Sequence, residues 1–436
     1  MINSRNVSKQ KKYTYGEIRD YSTSLSEALL KILRLEAEDV VAVISRNIPE
    51  FSIVYLGVMK ANLIATTVSS SYTSVLLKLN QSIPDKAIDF HEFVRTKHDY
   101  PDIIPCSPNA VAFLTYSSGT TGLPKGVELT HKNLVVNMLQ CFNCDGEYQT
   151  ESSESYQEIL PIHHIFGKSL INGVHIIGGK MICLKSFSQE LFISVLKESN
   201  FGNILLRKKI FKTSTKSLSK VLSIQGYGLT ETSPAVSQLY PSKMIEEEFH
   251  KGSIGKPLPN TLTKVVDPED VKDTPLGPNC TGELLIKGPQ IMKGYHKLPK
   301  ETKKIISEDG WLRSGDLGHI NEKGFLFITD RMKELIKVKG NQVAPSELED
   351  IIRSFPGIAD AAVTGVSHER ASEVLRAYIV PEKNLDMEKF QQFFNGEVAK
   401  YKHLKGGIEI LKSIPKNAAG NILRRELKTM YLQKNR

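Results

Sequence analysis

At roughly 100 to 200 residues per domain the 436-residue chain has room for two or three domains, and 40% hydrophobic with 24% charged residues is ordinary globular composition, which excludes a disordered or collagen-like protein. Five cysteines, of which only Cys141 and Cys144 lie close together, fit thiols in a reducing compartment and exclude a disulfide scaffold; one lone CxxC is too little for zinc. The net charge of +9 gathers at the C-terminus, where nine Lys and Arg residues from Tyr401 onward face only Glu409 and Glu426. Without aromatic RNA-binding runs or paired Cys/His fingers, that end reads as a solvated face or an attractor of polyphosphate, and no nucleic-acid partner is expected.

Near the N-terminus Arg5, Lys9, Lys11 and Lys12 have no apolar region behind them, and Glu17 and Asp20 argue against a transit peptide. The final Gln433-Lys434-Asn435-Arg436 is not a Ser-Lys-Leu address, so the cytoplasm is the expected location. Two apolar runs, Val40 to Ile44 and Leu63 to Val68, flank a helical pattern from Pro49 to Lys60, which predicts a βαβ unit in a parallel sheet. Further strands are expected over 110–116, 174–184 and 283–287. The longest weakly polar run, 169–184, is interrupted by His175 and Lys180 and falls short of the roughly 18 residues a bilayer demands, so no transmembrane segment is expected.

After Asp330 the elements become small and tightly punctuated. Ser346 as N-cap with Glu349 three residues on predicts a capping box opening a short helix that ends near Phe355-Pro356-Gly357. Strands over 361–366 and 374–380 and a helix over 386–401 complete an α+β domain of about 100 residues. The predicted boundaries are 1–329 and 330–436, joined by a tight hinge at Asp330 to Lys333, with α/β architecture overall and no internal repeat.

The strongest local signal is Thr115-Tyr116-Ser117-Ser118-Gly119-Thr120-Thr121-Gly122-Leu123-Pro124-Lys125-Gly126, directly after an apolar run. Small hydroxyl residues and glycines let backbone N–H groups converge on an anion, and Lys125 adds a point charge, so phosphate is the natural ligand. The lysine is followed by Gly126 rather than Ser or Thr, which separates the loop from a P-loop kinase or GTPase. In isolation the same run also reads as a plain surface loop.

An ordered series follows: Leu160-Pro161-Ile162-His163-His164-Ile165-Phe166-Gly167, Gln225-Gly226-Tyr227-Gly228-Leu229-Thr230-Glu231, Gly252 to Pro257, Gly282-Glu283-Leu284, Trp311 to Asp316, and Asp330 to Val343. In that order, from Tyr13 to Leu427, the chain resembles the adenylate-forming superfamily of acyl-CoA synthetases, 4-coumarate:CoA ligases and beetle luciferases. The resemblance implies a large N-terminal adenylation domain of mixed sheets and helices and a small α+β C-terminal lid. It further implies an ATP- and magnesium-dependent ligase that joins a small carboxylic acid to AMP and then transfers the acyl group to coenzyme A.

By the same resemblance Ser117, Ser118, Gly119, Thr120, Thr121, Gly122 and Lys125 would hold the phosphates, with Gln225 and Gly226 also on the nucleotide. Thr230 would touch the α-phosphate and Glu231 would hold magnesium, a hard ion suited to oxygen ligands. Asp316 and Arg331 would bond the ribose hydroxyls, His164 would sit near the acid's carboxylate and Phe166 near the adenylate. Lys333 would be the hinge, Lys337 with Lys339 and Gly340 would line the thioester-forming face, and Gln342 would contact AMP. Taken singly, Glu231 reads as surface, Asp316 as a turn residue, His164 and Phe166 as core, and the lysine-rich hairpin as solvated.

The chain departs from the pattern in two ways. The family's Pro-Lys-x-x-x-Gly-Lys, whose last lysine bridges carboxylate and α-phosphate, here reads Pro415-Lys416-Asn417-Ala418-Ala419-Gly420-Asn421, so Asn421 stands where the charge is expected. Segments also look shortened after Tyr72-Thr73 and over 207–224, and the start of the usual N-terminal domain is absent, so that domain is expected to be truncated. Two rivals to an active acid:CoA ligase therefore stand: a weak or inactive nucleotide-binding relative, and a luciferase-like monooxygenase. The sequence is silent on oligomeric state and on which acid is used.

Overall fold

The computed structural model describes residues 2–4, 12–69, 90, 94, 106–117, 124–142, 155–158, 161–184, 226–239, 252–368, 372–382, 385–416 and 420–434. The chain divides into two compact units, residues 1–263 with 286–312, and residues 264–285 with 313–436. Among the described residues no helix is long and apolar enough to cross a membrane.

In the first unit the predicted βαβ element is present: strands Val40–Ser45 and Ile64–Ser69 pair in parallel and are joined by helix Glu50–Lys60. Parallel strands cannot be closed by a tight turn, so the helix is the crossover, and it buries Phe51, Tyr55 and Val58. Tyr55 stacks on Phe51 and meets Phe113 edge-on, each at 6.0 Å between centroids. Among the described residues the sheet runs Gly294–Tyr295, Lys125–Thr130, Val111–Ser117, Ile64–Ser69, Val40–Ser45. The strand expected over 110–116 is Val111–Ser117, and it pairs antiparallel with Lys125–Thr130.

The strand expected over 174–184 is only half present. Residues 174–177 close the helix Ile165–Ile177, Gly178 takes the left-handed conformation (φ 67°) that ends it, and the strand is Lys180–Cys183. A continuous apolar run carries no period to separate a buried helix end from a strand, and the glycine was the signal that divides them.

Lys168, in the first turn of that helix, is 1% exposed. Its Nζ donates to Thr67 Oγ1 at 2.7 Å and to the His163 carbonyl at 3.1 Å, and lies 3.4 Å from the Phe113 ring centroid. No carboxylate pairs with it among the described residues, and burial pushes its ammonium well below the ordinary lysine value of 10.5. Between that lowered pKa and 10.5 the unfolded chain binds more protons than the folded one, so this group makes stability rise with pH across the window and withdraws that support as pH falls. Lys168→Met is accordingly expected to be more stable than the wild type at neutral pH and to flatten the rise of stability with pH below 10.5, read by urea melts across that range. A variant destabilised throughout would show that the bonds to Thr67 and His163 outweigh the cost of burial.

A further sheet, most of whose residues belong to the second unit, has the order Leu262–Val266, Gly282–Lys287, Leu312–Ile320, Leu326–Arg331. The predicted strand over 283–287 lies within Gly282–Lys287, with Leu284, Leu285 and Ile286 fully buried. A second sheet runs Asn341–Val343, Ile336–Val338, Ser372–Pro381, Ile358–His368, with Ile408–Ile410 in parallel against Ser372–Pro381. Its core joins Val338, Val343, Leu348, Ile352 and Leu375 to Phe390 and Phe394 of helix Met387–Glu397. That helix is shorter than expected; it is capped by Asp386, whose side chain accepts from Lys389 N, and residues 400–402 form a 3₁₀ turn.

The predicted capping box is not formed. Helix Pro345–Ser354 starts with no side-chain cap from its own N-cap residue; instead Asp330 Oδ2 accepts from Ser346 N (3.1 Å) and Ser346 Oγ (2.9 Å). Glu349 is turned inward, accepting from Val363 N and pairing with Arg424. A carboxylate brought by tertiary structure to a helix N-terminus serves as well as a local one.

Candidate active site

In the first unit the glycine-rich segment is gripped at both ends. Ser117 and Lys125, on either side of it, are register partners of an antiparallel pair; Ser118, Gly119, Thr120, Thr121 and Gly122 lie outside the described residues, as does Gln225. No helix opens after Lys125, which begins a strand, as expected of a loop unlike a P-loop. Lys125 Nζ bonds Glu301 Oε2 at 2.8 Å and lies 4.8 Å from the centroid of the Tyr295 ring. Hydrogen bonds from Lys125 and Lys304 hold the Glu301 carboxyl down to about 2.

The same tyrosine reaches the expected metal residue. Tyr295 Oη donates to Glu231 Oε1 at 2.9 Å, while Met292 N donates to the Glu231 carbonyl at 2.9 Å. Burial first, and then the Glu231 charge, push the Tyr295 phenol above its ordinary value, so it remains a donor. Glu231 and Thr230 occupy the 3₁₀ turn Thr230–Thr232, after the short strand Gly226–Gly228. A side chain at Gly228 would sit 1.8 Å from the Pro234 carbonyl, so only glycine fits there. Among the described residues no cluster of three or more His, Cys, Asp or Glu forms a metal cage. A single carboxylate with a spare oxygen suits magnesium, which is commonly held by one or two carboxylates together with phosphates and water.

Tyr295 and Glu301 were not singled out from the sequence. The signal was faint: a Gly-Tyr pair followed by a short helix Pro299–Ile305, whose value appears only when the strand Gly294–Tyr295 pairs with Lys125–Thr130. His164 is the N-cap of helix Ile165–Ile177, its Nδ1 accepting from Phe166 N at 3.3 Å, and both residues are half-buried.

In the second unit the two ribose candidates meet. Asp316 and Arg331 are register partners across the Leu312–Ile320 and Leu326–Arg331 strands, with Arg331 Nε 3.3 Å from Asp316 Oδ1. Asp316 is a strand residue, 3% exposed, and not a plain turn residue. The strand residues just before it are fixed by Glu283, which pairs with Arg313 (2.6 Å) and accepts from Gly315 N (3.1 Å), and Gly315 takes φ 70°. Lys333 lies in the 3₁₀ turn Met332–Glu334. Lys337 and Gln342 are partners on the next hairpin, both exposed, and Lys339 and Gly340 form its tip at φ 49° and 82°. Beside that tip is a cavity of ≈ 220 Å³ lined by Lys339, Lys400, Tyr401, His403 and Lys405 over Val338, Val374 and Leu375.

Asn421 is exposed, next to Gly420 at φ 78°. Two cations near it in sequence are committed elsewhere: Lys416 pairs with Asp360, and Arg424 pairs with Glu334 (2.9 Å) and Glu349.

The sequence model of the AMP-binding enzyme family matches residues 3–79, 73–202 and 206–296, and that of the AMP-binding enzyme C-terminal domain matches 347–421. The chain belongs to the adenylate-forming, AMP-binding enzymes. Within this family it is 32% identical to a luciferin 4-monooxygenase of Photuris pensylvanica, over 96% of this chain and 89% of that one. It is 30% identical to 4-coumarate–CoA ligase 1 of Solanum tuberosum, over 95% and 88%. Its fold matches ATP-bound MatB from Rhodopseudomonas palustris with a TM-score of 0.84 (23% identity; 99% of this chain, 95% of that one). It also matches the o-succinylbenzoate CoA synthetase of Bacillus subtilis in complex with its acyl-adenylate, at a TM-score of 0.82 (23% identity; 98% and 94%). The expected α/β architecture of a large N-terminal domain and a C-terminal domain is therefore the fold of this chain.

Proposed function

We propose that the protein is an ATP-dependent acid:CoA ligase acting on an aryl-propenoic or a medium- to long-chain fatty acid. A carboxylate oxygen attacks the α-phosphorus of ATP as the bond to pyrophosphate breaks; the thiol sulfur of coenzyme A then attacks the acyl carbonyl, losing its proton, and AMP leaves. The observation that carries this reading is the network Lys125, Tyr295 and Glu231, which joins the cation that follows the glycine-rich segment to the carboxylate suited to a hard metal. Two anions must approach each other in the first step, so the site has to supply positive charge and donors where negative charge builds up.

In this reading Lys125 and residues 117–122 hold the phosphates, Thr230 touches the α-phosphate, and Gln225 and Gly226 flank the nucleotide. Asp316 and Arg331 take the ribose, Gln342 contacts AMP, and His164 and Phe166 face the acid and its adenylate. Glu231 would hold magnesium, which when bound offsets charge on the phosphates. Residues 330–436 act as the lid with Lys333 at its hinge, and Lys337, Lys339 and Gly340 face the thioester step. The lysine-lined cavity beside Lys339 supports coenzyme A as acceptor, because that carrier is itself rich in phosphate. The relatives named as CoA ligases support a small carboxylic acid as substrate.

Asn421 favours a second reading, a catalytically weak relative, since neither Lys416 nor Arg424 is free to supply the charge. The joins in the family match at 73–79 and 202–206 support the reading that interior segments are shortened there. Incubation with ATP, magnesium, coenzyme A and a panel of acids is expected to yield pyrophosphate and thioester that depend on the acid. No product with any acid would overturn the ligase; light with a luciferin in place of thioester would select the monooxygenase.

A further inference from the structure

The contacts around Tyr295 go beyond holding the sheet together. Its backbone is set by pairing with Val127 on the strand that Lys125 begins, and its own N–H donates to Thr302 Oγ1 at 2.8 Å, so the main chain that carries the ring is held at two points. One side chain then serves two candidate ligand groups at once. The ring lies under the Lys125 ammonium at 4.8 Å, and the hydroxyl occupies Oε1 of Glu231 at 2.9 Å. Glu231 is anchored independently by the bond from Met292 N to its carbonyl, so the hydroxyl of Tyr295 decides the rotation of the carboxylate about its last bond and not the course of the backbone.

We propose that Tyr295 is a positioning residue of the nucleotide site: its hydroxyl fixes which oxygen of Glu231 is presented to a divalent cation, and its ring is the platform that keeps Lys125 aimed at phosphate. The proposal rests on the ligase reading and adds a residue to it. A hydroxyl that satisfies one lone-pair site of a carboxylate leaves the second oxygen pre-oriented, so a metal arriving with the phosphates need not select the geometry itself. A cation held over an aromatic face is steadied in place; Lys125 also pairs with Glu301 at 2.8 Å, so an arriving phosphate competes with that carboxylate for the ammonium that the ring keeps in position.

The two halves of the tyrosine separate experimentally. Calorimetric titration of ATP is done with and without magnesium, on the full chain, for the wild type and for Tyr295→Phe and Tyr295→Leu. Tyr295→Phe keeps the ring and loses the hydroxyl, so it is expected to weaken binding of the magnesium complex about tenfold or more while leaving metal-free ATP unchanged. Tyr295→Leu is expected to weaken both, the metal-free titration by about two- to fivefold. A merely structural tyrosine would show equal losses with and without metal in both variants, or none in either, and each of those results overturns the proposal. Thermal melts of the three proteins show whether a variant has lost its fold, and Tyr295→Phe alone, folded, is sufficient to decide the hydroxyl's role. If the wild type binds no ATP under either condition, the ligase reading falls and the proposal with it; wild-type binding with an unmoved Tyr295→Phe removes the proposal only.

Discussion

Asn421→Lys is expected to speed acid-dependent pyrophosphate release by about a hundred- to a thousandfold, the effect of restoring one donor worth about 3 to 4 kcal/mol at the charge-bearing step. The position is exposed, follows Gly420 at φ 78° and precedes Ile422, which bridges to Lys416 before helix Arg424–Lys434. Lys416 and Arg424 do not substitute for it, since their head groups are spoken for by Asp360 and by Glu334 with Glu349. The gain should be confined to adenylation: transfer of the acyl group from supplied acyl-AMP to coenzyme A should change by less than about threefold, because the bridged charges belong to the first step. Single-turnover measurement of both half-reactions checks this, and equal effects on the two would remove the role assigned to the position.

Glu231→Gln is expected to lower pyrophosphate release by about a hundredfold or more and to raise the half-saturating magnesium concentration by at least about tenfold. The substitution keeps volume and keeps an oxygen for the Tyr295 hydroxyl, so the 2.9 Å bond and the 3₁₀ turn around it should survive. What it removes is the formal charge that pairs with a hard cation. The melting temperature should stay within about 3 °C of wild type, because surface-proximal isosteric changes seldom exceed about 0.5 kcal/mol. Activity and magnesium dependence both unmoved would mean that the metal, if used, is held elsewhere.

Much of this was legible in the sequence because motif order is local information. The βαβ unit and the strand Val111–Ser117 follow from residues close in the chain, and the strands that bring Asp316 against Arg331 are joined by a turn of only a few residues. What stayed hidden depends on distant partners. Asp330 replaces Ser346 as the cap of helix Pro345–Ser354, which no local pattern announces. Tyr295 and Glu301 lie roughly 170 residues from Lys125 and become its neighbours through sheet pairing. Lys168 reads as an exposed helix position by residue type, yet Thr67 and the His163 carbonyl draw its amine into the core. The apolar run 174–184 was misjudged for the opposite reason, since hydrophobicity alone does not distinguish the end of a buried helix from the strand after it.

The measurement closest to the central claim is exchange of labelled pyrophosphate into ATP, which reports the reversible formation of a bound acyl-adenylate without any contribution from the thioester step. With magnesium and a suitable aryl-propenoic or fatty acid, label should enter ATP at a rate that depends on the acid and rises in Asn421→Lys. Label that never enters ATP with any acid, in wild type and Asn421→Lys alike, would contradict the account.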